Sequence, residues 1–426
     1  MTLRPIAPLH RPLADARARV PASKSIANRE LVLAALATGT SHLDLGPLDA
    51  GDDVRAMCEA IARLGHRVDG GGGSGRIAVT GSGGRPAFAE ATLDAKDAGT
   101  VARFATALAA LGTGRATIDG SPRLRERPLA PLLTALRAIG AQVTGDALPV
   151  TVTGPARGGD LAVPGSRSSQ FASALLLVAP ALPEGLRLRI TGTLVSAPYV
   201  DLTSAALAAR GVHVARTGPF AYAVAPQRVK ARDLRIPGDV TAATYPAAAA
   251  AILGGAVTVE HVDAREGPGV QGDVRFFSLL ERMGCAVGRR GGGAVSVRRA
   301  GTLFGLTADL RDCSDVFPTL AIVAACAATP SELTGVAHTR LQESDRVSAV
   351  AAGLRALGAD VAEWADGLRI VPRPLHAGVV DSAGDHRIAM AFSVLGLAVP
   401  GVAIEGAEAV SKTFPDFYRM LEDLRR

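Results

Sequence analysis

The stretch Leu354-Arg355-Ala356-Leu357-Gly358-Ala359-Asp360-Val361 reads as the last turn of a helix, a glycine, and the start of a strand. A glycine there is a usual helix stop, because a left-handed backbone costs it no Cβ clash. One such ending decides nothing. The pattern recurs as A-R-L-G-H-R-V at Gly65, A-L-R-A-I-G-A-Q-V at Gly140, L-A-A-R-G-V-H-V at Gly211 and L-E-R-M-G-C-A-V at Gly284. Successive glycines lie 75, 71, 73 and 74 residues apart. Local helix punctuation does not produce that regularity; a repeated supersecondary unit does. A sixth copy is expected in the helix F-Y-R-M-L-E-D-L-R-R that starts at Phe417.

Working outward, a second helix type recurs with the same period. Its copies begin near Ser23, Asp97, Ser166, Asp239, Ser314 and Gly384, and each is apolar all round, as a buried helix must be. A strand-like segment follows each copy, such as H-L-D-L or V-A-I-E-G, and further β segments follow five of the Leu–Gly helices. The repeating unit is therefore buried helix, strand, amphipathic helix, strand or strands, six times over. The expected fold class is α/β (α+β) in two domains of three repeats. Pro/Gly punctuation at V-P-A-S (20–23) and I-P-G-D (236–239) marks the expected crossings. One domain then takes 23–238 and the other 1–22 with 239–426, with a hinge at the two crossings and the site expected in the cleft between the domains.

The 426 residues are 48% hydrophobic but only 4% aromatic, so the cores must be built from Ala, Leu, Val and Ile. A net charge of +6 favours anionic partners, yet Lys and Arg are dispersed with no basic tail and no aromatic stacking platform; nucleic acid is not an expected partner. Cys58, Cys285, Cys313 and Cys326 show no C-x-x-C spacing, so no structural zinc is expected. The opening M-T-L-R-P-I-A-P-L-H-R lacks a signal peptide's apolar run, and no apolar stretch is long enough to span a bilayer. The expectation is a reduced, cytoplasmic, soluble protein with no membrane partner.

The starts of the six buried helices carry the chemistry. They read S-K-S-I-A-N-R, D-A-G-T-V-A-R, S-R-S-S-Q, G-D-V-T-A-A-T, C-S-D-V-F-P and G-D-H-R-I-A. N-capping accounts for Ser, Thr and Asp at such places. It does not account for Lys24, Arg29, Arg103 and Arg387, which oppose the positive end of the helix dipole. Basic side chains gathered at dipole-positive ends point to a bound anion, phosphate or carboxylate. Loops before the amphipathic helices add R-L-R-E-R-P (123–128), V-S-A-P-Y-V-D (195–201), V-Q-G-D (270–273), R-L-Q-E-S-D-R (340–346) and V-S-K-T-F-P-D (410–416). A solvated helix start explains Asp273 or Asp416; it does not explain Glu343 beside Arg346, or Lys412 ahead of an apolar segment.

In order along the chain stand K-S-x-x-N-R, D-A-G-T-x-x-R, R-x-R-E-R-P, S-S-Q-F-x-S-A-L-L, V-S-x-P-Y-x-D, Q-G-D-x-R, Q-E-S-D-R, D-H-R-I-A-M and S-K-T-F-P-D-F. Together they resemble the 5-enolpyruvylshikimate-3-phosphate (EPSP) synthases, within the enolpyruvyl transferase family. The resemblance covers nearly the whole chain. It implies two domains of three βαβαββ units around buried helices, an inside-out α/β barrel. It implies transfer of the enolpyruvyl group of phosphoenolpyruvate to the 5-hydroxyl of shikimate 3-phosphate, with release of phosphate, no metal and no cofactor. A monomer is expected.

By matching position, the resemblance implies that Lys24, Gly99, Thr100, Arg127, Gln170, Arg346, Arg387 and Lys412 bind phosphoenolpyruvate. It implies that Lys24, Ser25, Arg29, Ser168, Ser169, Gln170, Ser196, Tyr199, Asp315, His338 and Gln342 bind shikimate 3-phosphate. Asp315, Glu343 and Lys24 are the implied acid–base set, with Asp315 at the attacking hydroxyl and Glu343 at the methylene carbon. Asp385 and His386 are implied supports of Arg387. The family's inhibitor glyphosate is implied to occupy the pocket at Gly99, so that Gly99→Ala weakens it. Departures from the family pattern are Gln342 in place of a Lys, His338 in place of Asn, and Ala197, Phe104, Ser314 and Asp97. Two rival readings are the enolpyruvyl transferases acting on UDP-N-acetylglucosamine and an RNA-end-modifying protein of similar repeat fold. The first is opposed by Ser25 and by the lack of a Cys in 115–127.

Overall fold

The computed structural model describes residues 2–290 and 293–425. The chain divides into two compact units. Unit I is Ala22–Ile236 with Gly267–Gln271; unit II is Met1–Pro21, Pro237–Glu266 and Gly272–Arg426. The chain thus passes from one unit to the other at Pro21/Ala22 and again at Ile236/Pro237. The small excursion at Gly267–Gln271 has no counterpart in the repeat pattern.

Unit I contains three four-stranded sheets with one shared order. Glu90–Asp94 pairs in parallel with Arg115–Asp119, which pairs antiparallel with Val150–Thr153, which pairs antiparallel with Gln142–Thr144. Gly159–Pro164, Leu186–Thr191, Ala221–Val224 and Ala215–Gly218 repeat this order. In the third sheet the parallel edge strand comes from far along the chain: Leu234–Arg235 joins Thr38–Asp44, Arg76–Ser82 and Arg67–Asp69. Unit II follows the same plan. Thr307–Asp309 leads Ser331–Thr334, Gly367–Val371 and Asp360–Trp364. Leu13–Arg19 supplies the parallel strand beside Gly255–Glu260, Ala294–Arg299 and Ala286–Arg290. The last sheet has three strands, Gly378–Asp381, Val402–Glu405 and, antiparallel to it, Leu3–Pro5. The N-terminal segment therefore completes two repeats whose helices lie more than 200 residues later.

The apolar helices form the interior of each unit. In unit I, Lys24–Leu36, Gly99–Ala109 and Gln170–Val178 pack on one another; in unit II, Val240–Leu253, Phe317–Ala325 and His386–Gly396 do so. Every residue of Gly99–Ala109, of Phe317–Ala325 and of His386–Gly396 is buried. Small Ala side chains suit close approach of these helices in a core poor in aromatics. The sheets flank them with one face in and one face out, seen in the alternating burial of Leu186–Thr191 and Glu90–Asp94.

The five spaced glycines all stand in the left-handed region, with φ of 90° at Gly65, 97° at Gly140, 81° at Gly211, 103° at Gly284 and 91° at Gly358. The residue after each closes a bond five residues back: His66 N–H to Ile61, Ala141 to Leu136, Val212 to Leu207, Cys285 to Leu280 and Ala359 to Leu354, at 3.0–3.3 Å. That is a Schellman ending repeated five times. The regular spacing in the sequence is the spacing of these turns.

Candidate active site

In unit I the polar residues converge at the N-terminal ends of the three buried helices. Ser23 caps Lys24–Leu36 by accepting the Ile26 N–H at 3.4 Å. Lys24, the first helical residue, has its Nζ 2.9 Å from the carboxylate of Asp53, which is almost fully buried in the first turn of Asp52–Arg63. Asp53 is a site-adjacent residue that the sequence reading missed; its signal was the acidic pair after Gly51, which also passes for ordinary helix-start charge. Asn28 donates to the Thr100 hydroxyl at 2.9 Å, tying two of the helix starts together.

Arg29 and Arg103 already hold oxygen partners within the chain. Arg29 is fully buried and donates to Thr203 Oγ1 (2.8 Å), the Ser25 carbonyl (2.7 Å), the Tyr199 carbonyl (3.1 Å) and Ser173 Oγ (3.3 Å). Its guanidinium lies over the rings of Phe104 and Tyr199. Burial is the main reason its pKa falls to about 10. Arg103 donates to the carbonyls of Gly99 (3.0 Å) and Pro128 (2.7 Å) and to Gln170 Oε1 (3.1 Å). That last bond fixes the Gln170 amide, leaving its NH2 end as the donor available elsewhere. Arg127 donates to the Asp97 carbonyl at 3.3 Å. A Cβ on Gly99 would meet Arg103 Nη1 at 2.4 Å and Arg127 Nη2 at 2.7 Å, so the absent side chain at 99 makes room for two guanidinium groups. Asp97 is not the helix cap; its carboxylate accepts the Ser121 hydroxyl. Ser168 Oγ accepts the Gln170 N–H at 3.1 Å, and Ser169 is buried beside it. Ser196 is held at φ 53°, a left-handed backbone costing a serine about 1 kcal/mol.

In unit II the charged residues form one network. Arg346, 1% exposed, meets three carboxylates: Asp385 at 2.8 Å, Asp315 at 2.9 Å and Glu343 at 2.9 Å. Asp315 bridges, with its other oxygen 2.7 Å from Arg387 Nη2. Lys412 Nζ lies 3.7 Å from Glu343. Burial lowers the pKa of Arg346, but Asp385, Glu343 and Asp315 outweigh it, so the guanidinium is held charged. Burial likewise lowers the pKa of Arg387, but Asp315, Tyr245, Asp273 and Asp239 together outweigh it and hold it well above the ordinary value.

Asp315 lies inside the short helical turn Ser314–Val316, and its carboxylate pairs with the two arginines. A plain capping role does not describe it. Asp385 caps the helix His386–Gly396 through the Arg387 N–H (2.9 Å), but its second oxygen takes Arg346 and Ser344. It therefore orients the Arg346 side chain as well as holding the backbone of Arg387. Gln342, standing where a Lys is usual, accepts from Arg346 through Oε1. A Lys there would face Arg346 with like charge; Gln adds an acceptor. His338, 8% exposed, contacts Ser314 Oγ through Nε2 at 2.8 Å, so two of the departures from the family pattern meet each other. Burial pushes the His338 pKa down to about 4, so the ring is neutral at pH 7. Asp273, read from the sequence as explicable by a solvated helix start, is 0% exposed.

The arrangement offers cations that already hold resident carboxylates and can exchange them for an anionic ligand. It also offers two carboxylates, Asp315 and Glu343, whose charge is balanced by those cations.

Residues 11–421 match the family model described as EPSP synthase (3-phosphoshikimate 1-carboxyvinyltransferase). The chain is 43% identical over 411 residues to the 3-phosphoshikimate 1-carboxyvinyltransferase of Methanosphaerula palustris, covering 94% of this chain and 95% of that one. It is 42% identical over 413 residues to that of Methanoculleus marisnigri, covering 96% of each. A solved EPSP synthase from Acinetobacter baumannii superposes with a TM-score of 0.81 at 27% identity, over 99% of this chain and 98% of that one.

Proposed function

The chain belongs to the EPSP synthase family, and from that premise we propose how its residues share the work. The reaction is transfer of the enolpyruvyl group of phosphoenolpyruvate to the 5-hydroxyl of shikimate 3-phosphate, a step of the shikimate pathway. It proceeds by addition and elimination. The hydroxyl oxygen bonds to the central carbon of phosphoenolpyruvate while the methylene carbon gains a proton, giving a tetrahedral ketal phosphate. The C–O bond to phosphate then breaks, and the methyl group gives a proton back.

Lys24, Arg127, Arg346, Arg387 and Lys412 bind the phosphate and carboxylate of phosphoenolpyruvate, with Gly99, Thr100 and Gln170 completing its surroundings. Guanidinium forks suit both anionic groups. Lys24, Ser25, Arg29, Ser168, Ser169, Gln170, Ser196, Tyr199, Asp315, His338 and Gln342 bind shikimate 3-phosphate, and Arg29 also fixes the Ser25 and Tyr199 backbone. Asp315 accepts the proton of the attacking hydroxyl. Glu343 serves the methylene carbon, and Lys24 assists. The observation that carries this reading is the network in which Arg346 and Arg387 share Asp315 while Glu343 lies between Arg346 and Lys412. It supports a pair of carboxylates poised for proton transfer beside cations suited to an anionic substrate.

We also propose a monomer that works in the cytoplasm. Cys58, Cys285, Cys313 and Cys326 as free thiols suit a reducing compartment, and no described helix is long and apolar enough to cross a membrane. The test is phosphate release from phosphoenolpyruvate with shikimate 3-phosphate or UDP-N-acetylglucosamine as acceptor. Release with the first alone is the expected result; release with the second alone would replace the assignment.

A further inference from the structure

Asp273 is a buried carboxylate to which the roles above assign nothing. It sits in the helical turn Gly272–Val274 with no exposed surface. Its Oδ2 accepts the hydroxyl of Thr241, in the first turn of the buried helix Val240–Leu253. The same turn packs against Val240–Leu253, against the following helix Arg275–Arg282, and against Ser314–Val316, which carries Asp315. Asp315 in turn holds Arg387 at 2.7 Å.

We propose that Asp273 is a positioning residue of the transfer reaction: anchored on Thr241 beside the Arg387–Asp315 pair, it sets how much negative charge surrounds Arg387 when phosphoenolpyruvate arrives, and thereby the pH range of phosphoenolpyruvate binding. The inference rests on the assignment of Arg387 to phosphoenolpyruvate.

The charged and titratable groups around it come from each neighbouring element: Asp239 at the cap of Val240–Leu253, Asp315 and Cys313 at Ser314–Val316, Arg387 at the start of His386–Gly396, and Arg275 at the start of its own following helix. Burial, and then the field of Asp315, push Asp273 up to about 7; Arg387 and the Thr241 hydroxyl pull it down, and Asp239 adds a smaller push up. A carboxyl in that position is neutral below neutrality and charged above it. When it is neutral, Arg387 faces one carboxylate fewer and is freer for a substrate anion. An incoming anion, in its turn, favours the protonated form. Binding of phosphoenolpyruvate therefore takes up a proton above neutrality, and its affinity falls by at most about tenfold per pH unit for a single group.

The experiment is kcat/KM for phosphoenolpyruvate from pH 6.5 to 9 in the wild type, Asp273→Asn and Thr241→Val. Substrate ionisations are common to all three proteins and cancel in the ratios. The expected result is a falling alkaline limb in the wild type. Asp273→Asn is expected within about threefold of wild type at pH 6.5 and flat above it, because the amide stays neutral and still accepts the Thr241 hydroxyl. Thr241→Val removes a bond that favours the carboxylate, so its limb is expected at higher pH. An Asp273→Asn profile with the wild-type limb, whether or not it is lowered evenly at all pH values, overturns the proposal. If that variant does not fold, an unmoved limb in Thr241→Val overturns it. A wild type that releases no phosphate at any pH would instead overturn the functional assignment.

Discussion

Gly99→Ala should act chiefly on phosphoenolpyruvate affinity. Gly99 opens the helix Gly99–Ala109 and does not stand in the left-handed region, so alanine fits its backbone. Alanine is the better helix former by up to about 1 kcal/mol in a helix interior, and less at this first position. The helix backbone should lose nothing, and the cost to the fold is confined to the bonds that Arg103 makes to the Gly99 and Pro128 carbonyls and to Gln170, about 1 kcal/mol. The new methyl, however, would sit 2.4 Å from Arg103 Nη1, 2.7 Å from Arg127 Nη2 and 3.0 Å from Arg127 Cζ. Ordinary contact begins at 3.4 Å, so both guanidinium groups must retreat by about 0.7–1 Å. A displacement of that size at a binding cation costs on the order of 10²-fold in favourable cases. We expect KM for phosphoenolpyruvate to rise about 10- to 100-fold. KM for shikimate 3-phosphate should change less, through Gln170, which Arg103 holds at 3.1 Å. Steady-state kinetics with each substrate varied in turn, beside thermal melts, provides the assay. A KM for phosphoenolpyruvate within twofold of wild type would refute the reasoning.

Other substitutions test other parts of the structure. Arg346→Met leaves Asp385, 0% exposed, without its guanidinium and should cost about 3–5 kcal/mol in urea unfolding; adding Asp385→Asn should recover much of that stability but no activity. Gly65→Ala puts a Cβ 2.1 Å from the Ala87 carbonyl oxygen, whereas at Gly140 the nearest atom is 3.6 Å away; urea unfolding should show about 1–2 kcal/mol for Gly140→Ala and clearly more for Gly65→Ala. His338 has its pKa pushed down to about 4 by burial, below the ordinary 6.5. Its neutral form therefore contributes stability that is complete above pH 6.5 and is lost as pH falls toward 4. His338→Asn should shrink the loss of unfolding free energy between pH 7 and 4.5 by about 2–3 kcal/mol, leaving the similar effect of His66 in place.

The repeat was legible because each copy ends in the same physical necessity, a left-handed residue after an amphipathic helix. The buried helices were legible because nothing but burial explains a segment that is apolar all round. The borrowed strands were not. Leu13–Arg19 and Leu234–Arg235 carry no mark of their partners, which lie more than 190 residues away in sequence. The polar residues at the helix starts could be found from the dipole argument, but their individual reasons could not. Lys24 and Arg387 hold carboxylates, while Arg29 and Arg103 donate to carbonyl, hydroxyl and amide oxygens, several of them from distant segments. The same limit hid Asp53, the turn of Asp385 toward Arg346, and the burial of Asp273. Gln342 looked like a lost charge from sequence; beside Arg346 it is a neutral acceptor where a second cation would repel.

Deuterium incorporation tests the account most directly. If the methylene carbon becomes a methyl group in a tetrahedral intermediate, enzyme and both substrates in heavy water must place solvent deuterium on that carbon. The account predicts deuterium in the product methylene and in recovered phosphoenolpyruvate, only when shikimate 3-phosphate is present, and its loss together with turnover in Glu343→Gln. Product formed in heavy water with no deuterium at that carbon would contradict addition and elimination, and unchanged incorporation in Glu343→Gln would remove Glu343 from the proton transfer.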